Sequence, residues 1–263
     1  MDGPDRHQHG APLNQRILTP ISAVVITRDE EANLERCLVS ARSVAAELVV
    51  VDSGSTDHTL EIARRLADVV IERPWLGYGP QKQFALDQAR HDWVLALDAD
   101  EVLTPALASE IGACAFDLDG YELPRRSWYL GRFILHGTWY PDPVLRLFRR
   151  DRARYTTDRV HESVQLAGTL GRFRGHLDHY PYRDLAHHMA KMDALATLAA
   201  AQLADRGKRA SWARLALKPP FEFLRSYVLR RGFLDGAPGL IAAGMHAHYN
   251  FLKYAKLAER ERP

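Results

Sequence analysis

Three acids follow directly on an apolar run: Asp98, Asp100 and Glu101 in WVLALDADE. A short run of Trp, Val and Leu reads as a buried strand, and open α/β sheets bind ligands beyond the carboxyl ends of their strands. If the chain stays extended there, positions i and i+2 share a side, and Asp98 and Asp100 turn two carboxylates toward one place. Hard divalent cations such as Mg²⁺ or Mn²⁺ take oxygens of this kind, with substrate phosphates completing the shell. The plainer reading is that Asp98 or Asp100 caps a helix beginning near Thr104.

A second acid, Asp52, ends the run VVVD and is followed by Gly54 for a tight turn and by Ser55, Thr56 and Asp57. Helix capping accounts for the last three and leaves Asp52 to accept hydrogen bonds from a base or ribose. The first apolar run, ISAVVIT, also ends in polar residues, Thr27-Arg28-Asp29-Glu30-Glu31. Lys82 stands near the start of a helical stretch behind two glycines, where backbone N–H groups and a cation suit an anion such as phosphate. The alternative for Lys82 is a solvated surface lysine.

These residues act together only in a frame that gathers strand ends. ISAVVIT, AELVVVD, ADVVIE and DWVLALD alternate with helical stretches, the last of them before DWVLALD at 81–90, and this rhythm predicts a parallel sheet. Residues 1–20 lack the apolar core of a signal peptide and read as a disordered arm. Residues 21–118 form a nucleotide-binding half. Residues 119–181, with short strands rich in aromatics and arginine, form a mixed, partly antiparallel second half of the same domain. Residues 182–263 are a helical extension, broken at Pro219-Pro220. The expected fold class is α/β, a mixed sheet flanked by helices with a C-terminal helical extension.

Composition narrows the classes. With 46% hydrophobic and 26% charged residues the chain is neither disordered nor collagen-like, and 35 basic against 33 acidic residues do not call for nucleic acid. Cys37 and Cys114 lack the spacing of a zinc or redox pair, which fits a reduced, cytoplasmic compartment. The uncharged stretch 236–252 contains His246, His248 and Asn250 and falls short of a spanning helix. His176, His179, His187 and His188 do not complete a closed zinc set. The first turn, TRDEEAN, has no Gly-x-Gly-x-x-Gly, which argues against a dinucleotide dehydrogenase.

ITRDEEANLERCL, VVDSGSTDHT and LALDADE, in this order and spacing, resemble the family 2 inverting glycosyltransferases of GT-A fold. VLRLFRR, RVHESV, GHLDHYPYRD and PPFEFLRSYVLRRGFLDGAPGL are similar to the subgroup that adds glucose-type sugars to the lipopolysaccharide inner core. The resemblance covers nearly everything after the N-terminal arm. It implies that Thr27 and Asp29 or Glu30 line the nucleotide pocket, that Asp52 meets the base, that Asp98 meets ribose or metal, and that Asp100 holds the metal. It also implies a UDP-sugar donor, with Mg²⁺ or Mn²⁺ as cofactor. Two departures bear on the base contacts: Thr-Arg-Asp-Glu replaces the Thr-Tyr-Asn-Glu of many relatives, and Asp-Ser-Gly-Ser replaces Asp-Asp-Gly-Ser.

Inverting transfer needs a base for the acceptor hydroxyl. The resemblance places Glu162, with His161 beside it, on the acceptor side, and Glu101 is the fallback. His179 with Tyr180 shapes the acceptor side or packs. Phe221, Phe223, Leu224, Tyr227 and Leu229 with Arg225, Arg230 and Arg231 suit either an anionic membrane surface or packing on the core. The expected activity is hexose transfer to a lipid-linked saccharide at the cytoplasmic face of the inner membrane. Transfer to a polyprenyl phosphate or peptide, and an inactive nucleotide-sugar-binding protein, are the alternatives.

Overall fold

A computed structural model describes residues 19–156 and 163–261. The chain runs β1 (Ile21–Thr27), α1 (Leu34–Arg42), β2 (Glu47–Asp52), α2 (Thr59–Leu66), β3 (Val69–Glu72), α3 (Tyr78–Gln88) and β4 (Trp93–Asp98). It continues with β5 (Glu101–Leu103), α4 (Pro105–Ala113), β6 (Gly120–Tyr129), β7 (Arg132–Ile134), β8 (Asp142–Arg149) and β9 (Ala153–Tyr155). Then come β10 (Val164–Leu166), β11 (Leu170–Arg172), β12 (Leu177–His179), α5 (Leu185–Asp205), α6 (Trp212–Leu224) and α7 (Gly236–Arg260).

The main sheet has the order β3-β2-β1-β4-β8-β6-β12-β5. Its first four strands are parallel. β8 is antiparallel to both β4 and β6, and β12 is parallel to β6 and antiparallel to β5. The expected mixed α/β sheet with helices around it is what the chain forms. Continuous apolar strands are explained by burial on both faces. Ala23, Val25, Leu48, Val50, Leu95 and Leu97 point into one core with α1 and α4, while Val24, Val49, Val51, Val94 and Ala96 point into another with α3. Each such Val or Leu contributes roughly 1.5–3 kcal/mol by leaving water.

β1 lies between β2 and β4, so the connections leave it on both sides and open a crevice at the carboxyl ends. Register places Thr27 beside Asp52, and Ile26 beside Asp98. After Asp98 the chain is not extended: Ala99 and Asp100 form a turn, and Glu101 starts β5. Asp98 and Asp100 therefore reach the crevice from two sides of a turn and acquire different partners. Neither caps α4, because Thr104 Oγ1 accepts the Leu107 N–H instead.

α5 and α6 both pack against α7. α5 is fastened to the sheet where His188, stacked on Tyr182 at 3.8 Å, meets the Tyr129 hydroxyl at 2.8 Å. Pro219 and Pro220 do not break the chain as expected; α6 runs through them. Their fixed φ suits a helix, and the two missing N–H groups leave the carbonyls of Leu215 and Ala216 without their helical donors on a partly exposed turn that water reaches. A five-residue π-helical turn, Arg225–Leu229, and a 3₁₀ turn, Gly232–Asp235, lead into α7.

Candidate active site

A cleft of about 1000 Å³ opens at the carboxyl ends of β1 and β4. Thr27, Glu30, Lys82, Asp98 and Asp100 line one wall, and α5 and α7 close the far side through residues such as Met192, Leu195, Met245 and Tyr249. Trp75 and Tyr78, packed edge to face at 4.8 Å, stand at the rim before α3.

Asp98 sits between two cations. Lys82 Nζ lies 2.7 Å from Oδ1 and Arg146 Nη2 lies 2.5 Å from Oδ2. Burial alone would raise the Asp98 carboxyl, but Arg146 and then Lys82 hold it well below the usual carboxylate range. Lys82 is buried, so the surface-lysine reading fails. The network continues: Arg146 also bonds Glu101 Oε1 at 2.6 Å, Arg125 bonds the same oxygen at 2.9 Å, and Arg125 reaches Asp142 at 2.7 Å. Three acids thus face three cations, so each charge drawn from water in this network meets a partner of opposite sign. Glu101 is fully buried in this network and its other oxygen accepts the Asp98 N–H. That excludes it as the fallback base, because no acceptor hydroxyl can approach it.

Asp100 is set apart. Its Oδ2 lies 3.4 Å from His179 Nε2 and 3.6 Å from Lys191 Nζ of α5. Burial pushes its carboxyl up, but His179 and Lys191 together hold it below the ordinary range. The His179 ring is fixed from behind by Ser127 Oγ, 3.0 Å from Nδ1. Glu30, across the cleft, is pushed up by burial and by the negative charge of Asp100.

The other sequence-predicted residues divide. Thr27 borders the cleft, and its Oγ1 is buried with no hydrogen-bond partner among the described residues. Asp52 is fully buried beneath the turn that follows it: it accepts the N–H groups of Gly54 and Ser55 at 2.8 and 2.9 Å and the Ser55 hydroxyl at 2.5 Å. The turn needs Gly54, whose φ is +86°. Asp52 is not spare, as expected from capping alone, but holds the turn. Asp29 is exposed and accepts from Thr56 N and Oγ1, tying the loop after β1 to the loop after β2. Asp29 and Asp52 do not line the cleft. His161 and Glu162 lie outside the described residues.

Residues 22–152 match the model of glycosyl transferase family 2. A lipopolysaccharide core biosynthesis glycosyltransferase, LpsC of Rhizobium meliloti, is 36% identical over 92% of this chain and 93% of its own length. This chain belongs to glycosyl transferase family 2. An uncharacterized glycosyltransferase of Rickettsia typhi is 32% identical over 91% of this chain and 87% of its own length. In fold, the chain is similar to mannosyltransferase PcManGT from Pyrobaculum calidifontis, solved with GDP-Man and Mn²⁺ (TM-score 0.54, 15% identity, 92% of this chain and 88% of that one).

The donor set of this glycosyltransferase fits a hard or borderline cation held by few protein ligands. Asp100 and His179 offer an oxygen and an imidazole nitrogen close enough together to share one ion, with phosphates and water left to complete it. Among the described residues no group of three or more His, Cys, Asp or Glu side chains gathers to hold a metal by itself.

Sequence reasoning missed Arg125, Arg146 and Lys191 at this glycosyltransferase site. Arg146 carried a signal: a single arginine between Leu145 and Leu147 in an apolar strand is buried only if acids meet it. Lys191 carried none, because nothing in α5 alone shows which carboxylate it will face.

Proposed function

We propose that this glycosyltransferase moves a hexose, glucose in the first instance, from a UDP-sugar to a hydroxyl of a lipid-linked saccharide such as the lipopolysaccharide inner core. The observation that carries the reading is the separation of two acids by one turn. Asp98 is paired with Lys82 and Arg146, whereas Asp100 is paired with His179 and Lys191, and both line the cleft. Kinship with LpsC over nearly the whole chain supports a saccharide acceptor of the same class.

In this reading Asp100 and His179 hold Mg²⁺ or Mn²⁺, and Asp98 presents its cleft-facing edge to the ribose or metal. When bound, the cation offsets the charge that gathers on the departing diphosphate. Lys82, fixed near the start of α3, adds positive charge on the donor side. Thr27 and Glu30 border the nucleotide, and Asp29 and Asp52 keep the two loops that shape its pocket. Glu162, oriented by His161, takes the proton of the acceptor hydroxyl; that oxygen bonds the anomeric carbon as its bond to the diphosphate breaks, inverting the centre and releasing UDP. Ser163 and Val164, next in the chain, line the cleft. The reaction takes place at the cytoplasmic face of the inner membrane.

The test is to incubate the protein with a panel of nucleotide sugars, with and without Mg²⁺ or Mn²⁺, and measure released nucleoside diphosphate. UDP released from a UDP-hexose in a metal-dependent manner is the expected result. Release of GDP alone overturns the donor assignment. No release from any donor, even with a lipid-linked saccharide present, overturns catalysis.

A further inference from the structure

Helix α6 is turned inside out. Glu222 and Ser226, 3% and 4% exposed, face inward. Glu222 is held there by Lys218 at 2.7 Å, Arg225 at 2.9 Å and His246 of α7 at 3.4 Å, while Ser226 Oγ accepts the Thr138 N–H. Leu217, Phe221, Leu224 and Val228 follow one another at intervals of four, three and four residues and so form one stripe. That stripe faces solvent, each member 46% to 68% exposed. Leu229, Phe233 and Leu234 extend it, and Trp212, 86% exposed, stands at its start. Scattered apolar residues on a surface need no account, but a contiguous stripe does.

The charges around the stripe identify what it meets. Between positions 206 and 234 there are eight Lys and Arg residues and one acid, Glu222, which is the residue turned inward. Arg214, Arg230 and Arg231 are exposed beside the apolar residues. A second copy of the chain packed on this face would set cations against cations. No helix among the described residues is long and apolar enough to cross a membrane, and α6 has only 13 residues. A short helix with an outward apolar stripe, a cationic border and a tryptophan is built to lie in the plane of a bilayer.

We propose that α6 and the turns after it, through Leu234, form a surface that docks on an anionic lipid bilayer. The stripe enters the boundary between headgroups and acyl chains, and Arg214, Arg230 and Arg231 meet lipid phosphates. This deepens the functional proposal, because a lipid-anchored acceptor is met at a bilayer, but its test needs neither donor nor acceptor.

The full chain is sedimented with vesicles of phosphatidylcholine alone and with vesicles in which half is replaced by phosphatidylglycerol. Binding to the anionic vesicles should exceed binding to the neutral ones by about tenfold or more, and should weaken as salt is raised. The double substitutions Phe221→Ser/Leu224→Ser and Arg230→Glu/Arg231→Glu should each reduce it by about tenfold or more. Their melting curves should be unchanged, since the side chains replaced are exposed. Absence of binding to either vesicle, equal binding to both, or equal binding by the variants overturns the proposal. So does a concentration-dependent dimer that Phe221→Ser/Leu224→Ser abolishes, or capture only by an acidic protein. Release of UDP from the donor should be the same in both variants. A chain that docks but releases no nucleoside diphosphate keeps this surface and loses the transferase reading.

Discussion

The carboxyl end of β4 and the helix α6 both bury an acid under several cations, yet they do so in opposite settings. Glu101 is buried at the start of β5 against Arg125 of β6 and Arg146 of β8, and Arg146 also pairs with Asp98 at the cleft. Glu222 is buried because α6 turns its polar side inward and leaves its apolar side in water. In the first case charge is drawn out of water to steady an acid that lines the cleft. In the second, the buried charge accompanies an apolar face left free for something outside the molecule. A buried ion cluster therefore says little by itself; what it leaves exposed beside it says more.

The contrast breaks most sharply at Asp100. Asp100→Ala should reduce transfer by about 10³-fold, because the lost interaction matters as charge develops on the leaving group. It should also lower the melting temperature, because Asp100 is buried against His179 and Lys191. Full activity in this variant, measured by UDP release with saturating metal, removes Asp100 from the metal. The next effect separates chemistry from support. Glu162→Gln should lower kcat by about 10²-fold with donor affinity unchanged by calorimetry. Glu101→Gln should instead lower stability, leaving Arg125 and Arg146 short of a buried partner, by about 3 kcal/mol in denaturant melts. A stable, inactive Glu101→Gln beside an active Glu162→Gln reverses the two roles.

The smallest effect lies where α5 meets the sheet. Burial lowers the His188 imidazole from an ordinary 6.5 to about 4. Between those values the unfolded chain binds a proton that the folded chain refuses, so stability rises with pH across this window and is lost as pH falls through it. The loss by pH 4 should be about 2–3 kcal/mol. His188→Phe should flatten that part of the curve of melting temperature against pH; an unchanged slope shows that His188 does not stay neutral.

The donor end was legible in the sequence because it obeys simple periods. Strands of Val, Leu and Ile announce burial on both faces, and acids directly behind them announce a ligand edge. Asp98 and Asp100 could therefore be placed at that edge from their neighbours, though not the turn that separates them, and Thr27 entered only through the family resemblance. Asp52 was legible as a strand-end acid, but not as the holder of its own turn, which depends on where the Gly54 and Ser55 amides point. Arg146 and Lys191 depend on partners 48 and 91 residues away in the chain, at Asp98 and Asp100, which no local pattern encodes. The stripe on α6 was visible as amphipathicity, but a period of 3.6 carries no sign: it shows that a helix has two faces and not which one meets the core. Pro219 and Pro220 misled for a similar reason, since a missing N–H is costly only where water cannot take its place.

Lys191 comes from α5, yet it touches the carboxylate on which the donor reading turns. The helical region is therefore no detachable appendage. A chimera that joined the strands of this protein to the helices of a distant cousin would inherit Asp100 without the cation that steadies it, and a fragment trimmed after β12 would suffer the same loss. Grafting a new acceptor preference onto this scaffold thus has to preserve the face of α5 that looks at Asp100, and the segments open to exchange are those farther along, beyond the reach of Lys191.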